Sequence, residues 1–266
     1  MGGPLAGVKV VEVAGIGPGP FAAMMLADMG ADVIRVDRAG SVHGGDPAAP
    51  PADVLNRGRR SIGVDLKSPD GVATLLDLVE QADALVEGFR PGVAERLGFG
   101  PDVCLARNPR LVYGRMTGWG QDGPYAQAAG HDINYIALGG VLAHLGRADQ
   151  PTPPINLVGD FGGGGMLMAF GIMAALWERA SSGRGQVIDV ALHEAVFNVM
   201  EGLVPEYGAF GVVREPAGSA LPGIAPSNAY ACSDGVLLVS GNGDSIFKRL
   251  MQAIGRDDLA ADPALA

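Results

Sequence analysis

Cysteine is scarce in this chain: Cys104 and Cys232 are the two thiols in 266 residues. They lie far apart and lack C-x-x-C spacing, which argues against a disulfide framework and predicts two buried, reduced thiols. Basic charge is short as well, with 19 Lys and Arg against 29 Asp and Glu, a net charge of −10. No basic run supplies the electrostatic face of a nucleic-acid binder. A small polyanionic ligand stays compatible, because a few placed cations hold one. The start, Met1-Gly2-Gly3-Pro4, has neither a charged nor an apolar signal region. The longest strongly apolar run, Met166 to Trp177, is short of the roughly 20 residues that span a bilayer. A cytoplasmic protein with no membrane and no nucleic-acid partner is the expectation. No His/Cys/Asp cluster has metal-ligand spacing, so no metal is expected.

What the chain has in excess is glycine, 42 residues, more than twice the usual share. The glycines follow no G-X-Y period and predict tight turns and close backbone approaches. Val8 to Ala14 reads as a strand, Gly15-Ile16-Gly17-Pro18-Gly19-Pro20 as a turn and Phe21 to Met29 as a helix. Val33 to Asp37 reads as a second strand, completing a βαβ unit of a parallel sheet. Ser61 to Leu66, Ala84 to Glu87, Leu111 to Arg115 and Ile188 to Val190 are further strands, and Ser68 caps a helix through Glu80. Ile133 to Leu142 and Met166 to Arg179 are apolar around most of their circumference and predict buried helices. The fold class expected is α/β: a Rossmann-like large domain over 1–200, a linker over 201–225, and the beginning of a smaller α+β domain over 226–266.

Three motifs invite a function. The Gly15 to Pro20 turn resembles a dinucleotide fingerprint, with Asp37 about twenty residues on. Pro20 stands where the third glycine belongs, and two prolines remove donors a pyrophosphate needs, so no NAD is expected. Gly162 to Gly165 lacks the following Lys-Ser/Thr of a Walker loop. The remaining motif is a pair of islands: Gly130-His131-Asp132-Ile133-Asn134-Tyr135, and Asn156 to Phe161 running into Gly162 to Gly165. An imidazole and a carboxylate, each ahead of a helix, suit two bases facing one carbon from opposite sides. The bland readings are a structural histidine and a helix-capping Asp. A cap needs no four glycines after it; a substrate lying against helix N–H groups does, and those donors would stabilise an enolate oxygen. Among the other histidines, His43, His144 and His193, none has comparable surroundings.

These islands resemble the class III CoA-transferase and α-methylacyl-CoA racemase family, most closely its bacterial racemases. The same holds for Val36-Asp37-Arg38, Val64-Asp65-Leu66-Lys67, Glu87-Gly88-Phe89-Arg90-Pro91-Gly92, Met116-Thr117-Gly118-Trp119-Gly120-Gln121 and Gly185-Gln186-Val187-Ile188-Asp189. The resemblance runs over roughly residues 4 to 200 and weakens beyond. It implies an interlocked homodimer, an acyl-CoA substrate, and no cofactor beyond the CoA moiety. It makes His131 and Asp160 the two acid/base residues. It puts CoA on Arg38, Val64, Asp65, Leu66, Lys67, Gly88, Phe89, Arg90 and Arg96, and on Gly130, Asp132, Ile133, Asn134 and Tyr135. Asp244 is the residue nearest in pattern to a further carboxylate that partners the histidine in racemases. Three activities follow: racemisation of a 2-methylacyl-CoA through an enolate, CoA transfer with Asp160 as nucleophile, or CoA binding alone. His131 favours the first, because the transferases commonly carry Tyr there.

Overall fold

The computed structural model describes residues 2–41, 53–147, 149–214, 216, 226–241, 243–262 and 265. His43 lies outside them. The chain divides into two compact units, residues 1–139 with 154–201, and residues 140–153 with 202–266.

The first unit is built on six parallel strands: β1 (Lys9–Val13), β2 (Asp32–Arg38), β3 (Arg59–Val64), β4 (Ala84–Glu87), β5 (Val112–Thr117) and β6 (Val187–Ala191). Their order is β3-β2-β1-β4-β5-β6, every pairing parallel. This is the doubly wound arrangement, in which the order reverses between β1 and β4. Alternation sends successive side chains to opposite faces. Val10, Val33, Ala84 and Val112 enter one core layer. Val11, Val36, Leu85 and Tyr113 enter the other. Burial on both faces is why these strands read as near-continuous apolar runs.

One face is covered by α1 (Pro18–Asp28) and α6 (Met166–Ser182), the other by α2 (Pro69–Gln81), α3 (Val93–Leu97) and α4 (Pro101–Arg107). The Ser68 side chain caps α2 by accepting the Gly71 N–H at 3.0 Å, and Pro69 occupies the first turn. Helix α1 begins three residues before its predicted start. Pro18 there fills a first-turn position, where a missing N–H costs nothing. Under the sheet, the fully buried Glu12 pairs with Arg35 at 2.6 Å and with the buried Arg59.

Three expectations change. The glycine run does not precede a helix; it lies inside one. Leu157–Gly165 is a π-helix that continues directly into α6. Together they form a 26-residue helical rod, Leu157–Ser182, long and apolar enough by composition to cross a membrane. In this fold Met168, Ala169, Ile172 and Ala175 bury one of its faces in the sheet core. The opposite face stays open, with Phe170 at 70% and Trp177 at 83% exposure, so a helix read as buried all round is covered on one side. Helix α5 (Asp132–Leu138) is likewise half-covered and shorter than predicted. Cys104 is buried, but Cys232 is exposed.

Helix α7 (Leu192–Val199) closes the first unit. In the second unit, α8 (Val204–Phe210) occupies part of the stretch read as linker. Pro205 sits in its first turn, where a missing N–H is tolerated. An antiparallel hairpin follows, β7 (Asn228–Cys232) and β8 (Gly235–Val239), then α9 (Asp244–Ala253) and α10 (Asp257–Ala260). The buried Ser227 accepts the Gly241 N–H at 2.9 Å, and Asp244 opens α9.

Candidate active site

A cleft of about 450 Å³ opens at the carboxyl ends of β1, β4 and β5. That is the reversal point of the strand order, where open α/β sheets hold ligands. Four chain segments wall it: Gly15–Pro20 after β1, Gly88–Pro91 after β4, and Gly118–Trp119 and Ala126–His131 after β5. Asp160, Tyr135 and Leu192 complete the lining.

His131 and Asp160 therefore share one cleft. His131 is the exposed N-cap residue of α5, its backbone N–H donating to the Asn134 side chain at 3.0 Å. Asp160 stands in the first turn of the π-helix, its carboxylate over Gly17. A Cβ at Gly17 would sit 3.2 Å from the carboxylate oxygen, and Gly17 has φ +66°, so this glycine is demanded by both space and conformation. Burial, and after it the neighbouring Asp132, raise the Asp160 carboxyl to about 6 against the opposing pull of His131.

Asp132 is buried behind this pair, and its Oδ2 accepts the Asp160 N–H at 2.6 Å. The buried Tyr135 ring meets Trp119 edge-on, centroids 4.8 Å apart, and its hydroxyl is pushed up to about 12 by burial and then by Asp160. Glu87, buried at the end of β4, accepts the Phe89 N–H at 2.6 Å, and burial pushes its carboxyl up to about 7.

The glycines have a different role from the one expected. The Phe161 N–H already donates to Asn156 O, and the Asp160 N–H to Asp132. Side chains on the run would strike protein: a Cβ at Gly164 would lie 2.0 Å from Leu192, and one at Gly165 2.7 Å from Phe21. The glycines let the rod press against α1 and α7. They do not hold open a row of free N–H donors.

Of the fourteen residues that the resemblance assigned to CoA, eight line two hollows and six, the buried Asp132 among them, line neither. Gly88, Phe89, Arg90, Gly130 and Tyr135 line the cleft. Leu66, Lys67 and Arg96 line a second, open groove of about 550 Å³ with Pro69, Leu76 and Arg107. Arg38 ends β2 and is exposed, opposite Val64 in register. Val64 itself points into the core. Asp65 is exposed, and its carboxylate accepts the Lys67 N–H at 3.0 Å. Ile133 and Asn134 are exposed on α5. Among the described residues, Arg38, Lys67, Arg90 and Arg96 make no ion pair, whereas Arg35, Arg57, Arg59, Arg60, Arg107 and Arg179 do. Sequence reading gave no site role to the Gly15–Pro20 turn or to Glu87. Their signal was position, at the carboxyl ends of two central strands.

The profile of CoA-transferase family III matches residues 5–266. The chain is 45% identical over 240 residues to the α-methylacyl-CoA racemase of Mus musculus, an alignment covering 89% of this chain and 61% of the mouse protein. It is 40% identical over 276 residues to the succinyl-CoA–D-citramalate CoA-transferase of Chloroflexus aurantiacus, covering 99% of this chain and 68% of that one. The chain thus spans about three-fifths of the length of the mouse relative. A crystal structure of a CaiB/BaiF family protein from Brucella suis superposes with TM-score 0.82 at 33% identity, over 100% of this chain and 73% of its own.

Proposed function

Because the chain belongs to CoA-transferase family III, we propose that its cleft racemises a 2-methylacyl-CoA by proton transfer between His131, Asp160 and the α-carbon. The observation that carries this reading is the pairing of an imidazole with a carboxyl raised to about 6 in one cleft. At neutral pH such a carboxyl is mostly ionised, yet a stronger base than an ordinary aspartate. It removes the α-proton from one face, the thioester becomes an enolate, and the imidazolium returns a proton to the other face. In the reverse direction the roles exchange. The unpaired cations Arg38, Lys67, Arg90 and Arg96 support phosphate recognition. The reaction uses no metal and no nicotinamide.

The partner that fits is a second copy, as an interlocked homodimer in the cytoplasm. Met166, Phe170, Met173 and Trp177 form an exposed apolar stripe along α6, and such a patch is rarely left to water.

CoA transfer is the second reading, favoured by an alignment to the citramalate transferase that covers 99% of the chain. Asp160 would then attack the acyl-CoA thioester and form a mixed anhydride, releasing CoA thiolate. Incubation in deuterated water separates the two. Racemisation places deuterium on the α-carbon, with His131→Ala and Asp160→Ala each losing at least 100-fold in rate. Hydroxylamine trapping at Asp160 without exchange would replace racemisation with transfer.

A further inference from the structure

We infer that Asp132 is a positioning residue for Asp160, holding its backbone from behind and setting the charge its carboxylate faces; the inference rests on Asp160 acting in the cleft. Asp132 is 6% exposed. Its Oδ2 accepts the Asp160 N–H at 2.6 Å, while its Oδ1 is buried without a partner. Gly159 leaves the room for this approach, since a Cβ there would lie 2.7 Å from Asp132 Oδ2.

A neutral side chain would satisfy that N–H equally well, as Asn and Ser do at helix starts. A buried carboxylate with one oxygen unsatisfied is destabilising. The charge is therefore retained for what it does to Asp160, which burial and then Asp132 hold high. The other charged groups on elements packed against the π-helix are engaged elsewhere. On α1, Asp28 pairs with Arg57; on α6, Glu178 accepts from Ser182 and Arg179 pairs with Asp83. On α7, His193 contacts Gly118 O and Glu194 acts on Asp189; on α5, the Tyr135 hydroxyl faces Asp160 and is raised by burial and then by it. His131 is the group that opposes Asp132 at Asp160.

Asp132→Asn keeps an oxygen for the N–H and removes the charge. With a 2-methylacyl-CoA as probe, the acid limb of kcat/KM against pH is expected to move down by about half to one unit. At neutral pH kcat falls severalfold while KM holds, and Tm stays level or rises. Asp132→Ala, which also loses the hydrogen bond, loses more in kcat. An unmoved pH profile in a folded Asp132→Asn protein overturns the inference and leaves Asp132 a cap. A ¹³C-carboxyl titration of Asp160 in the unmutated protein provides a readout free of turnover and of variant folding. A midpoint in the ordinary aspartate range, near 4, overturns it too. Asp160→Asn keeps the two ideas apart: full activity there removes Asp160 from the chemistry. An inactive Asp160→Asn beside an unmoved Asp132→Asn profile rejects only the inference.

Discussion

Replacing Gly164 by alanine separates two explanations of the glycine run, packing and substrate approach. The new Cβ would lie 2.0 Å from Leu192 Cδ2 and 3.3 Å from Gly159 O. Carbon pairs rest at about 3.5–4.0 Å, so Leu192 has to retreat by about 1.5 Å or change rotamer. It is 5% exposed, which leaves little free volume to retreat into. Overpacking of this kind costs about 1–3 kcal/mol. Alanine recovers about 1 kcal/mol of helical preference over glycine. The net loss is about 0–2 kcal/mol, a fall in Tm of up to roughly 8 °C for a chain of this size. Gly208, inside α8, has no neighbour within 4 Å of its Cβ position. Gly208→Ala is the control, expected to stabilise by about 0.5–1 kcal/mol. Calorimetric melting of both variants, with KM for the acyl-CoA, is the assay. A Gly164→Ala protein as stable as its parent, but with KM raised more than tenfold, would refute the packing argument.

Glu87 predicts a pH effect on stability. Its carboxyl is raised from an ordinary 4.5 to about 7, so the folded protein binds a proton there that the unfolded chain has released. Stability contributed by that proton is present below about pH 4.5 and lost as pH rises through 7, about 3 kcal/mol in all. Glu87→Gln keeps an acceptor for the Phe89 N–H and should flatten the fall, and urea melts at pH 5 and pH 8 that differ as much as in the parent would contradict this. Glu12→Ala leaves the buried Arg59 without its carboxylate and Arg35 with Asp37 alone, which predicts a loss of about 3–5 kcal/mol. A denaturation midpoint within error of the parent would show the pair to be dispensable.

The central strands were legible because both their faces are buried, so Val8 to Ala14 and Ala84 to Glu87 carry near-continuous apolar runs, broken by Lys9 and Glu12 and ended by Glu87. The place of His131 was legible too, since Gly130 and Asn134 mark a helix start. The π-helix was not. Four successive glycines cost a helix about 1 kcal/mol each in local preference, and a local window reads them as a break. What overrides that preference is contact with Phe21 on α1 and Leu192 on α7, partners far away in sequence. The open face of α6 was hidden for the opposite reason. Its apolar residues encircle the helix, and nothing in their spacing says that only Met168, Ala169, Ile172 and Ala175 meet the sheet. Which cations are unpaired also depends on long-range neighbours, so Arg90 and Arg107 look alike until the ion pairs of Arg107 with Asp77 and Glu80 are seen.

The continuous rod gives the two proposed acid/base groups, Asp160 and His131, supports of unequal stiffness. Asp160 rides at one end of 26 helical residues whose far portion is embedded in the sheet core. Its excursions are those of a packed element. His131 terminates a stretch, residues 118–131, with neither helix nor strand, the kind of segment whose nanosecond excursions are larger. Under the proposed racemisation, a change in the size of the acyl group is expected to be met on the histidine side, with the carboxylate staying where the sheet holds it. One wall of the cleft acts as an anvil and the other as an adjustable jaw, so variants that broaden the accepted acyl chains will gather in 118–131 and not along the rod.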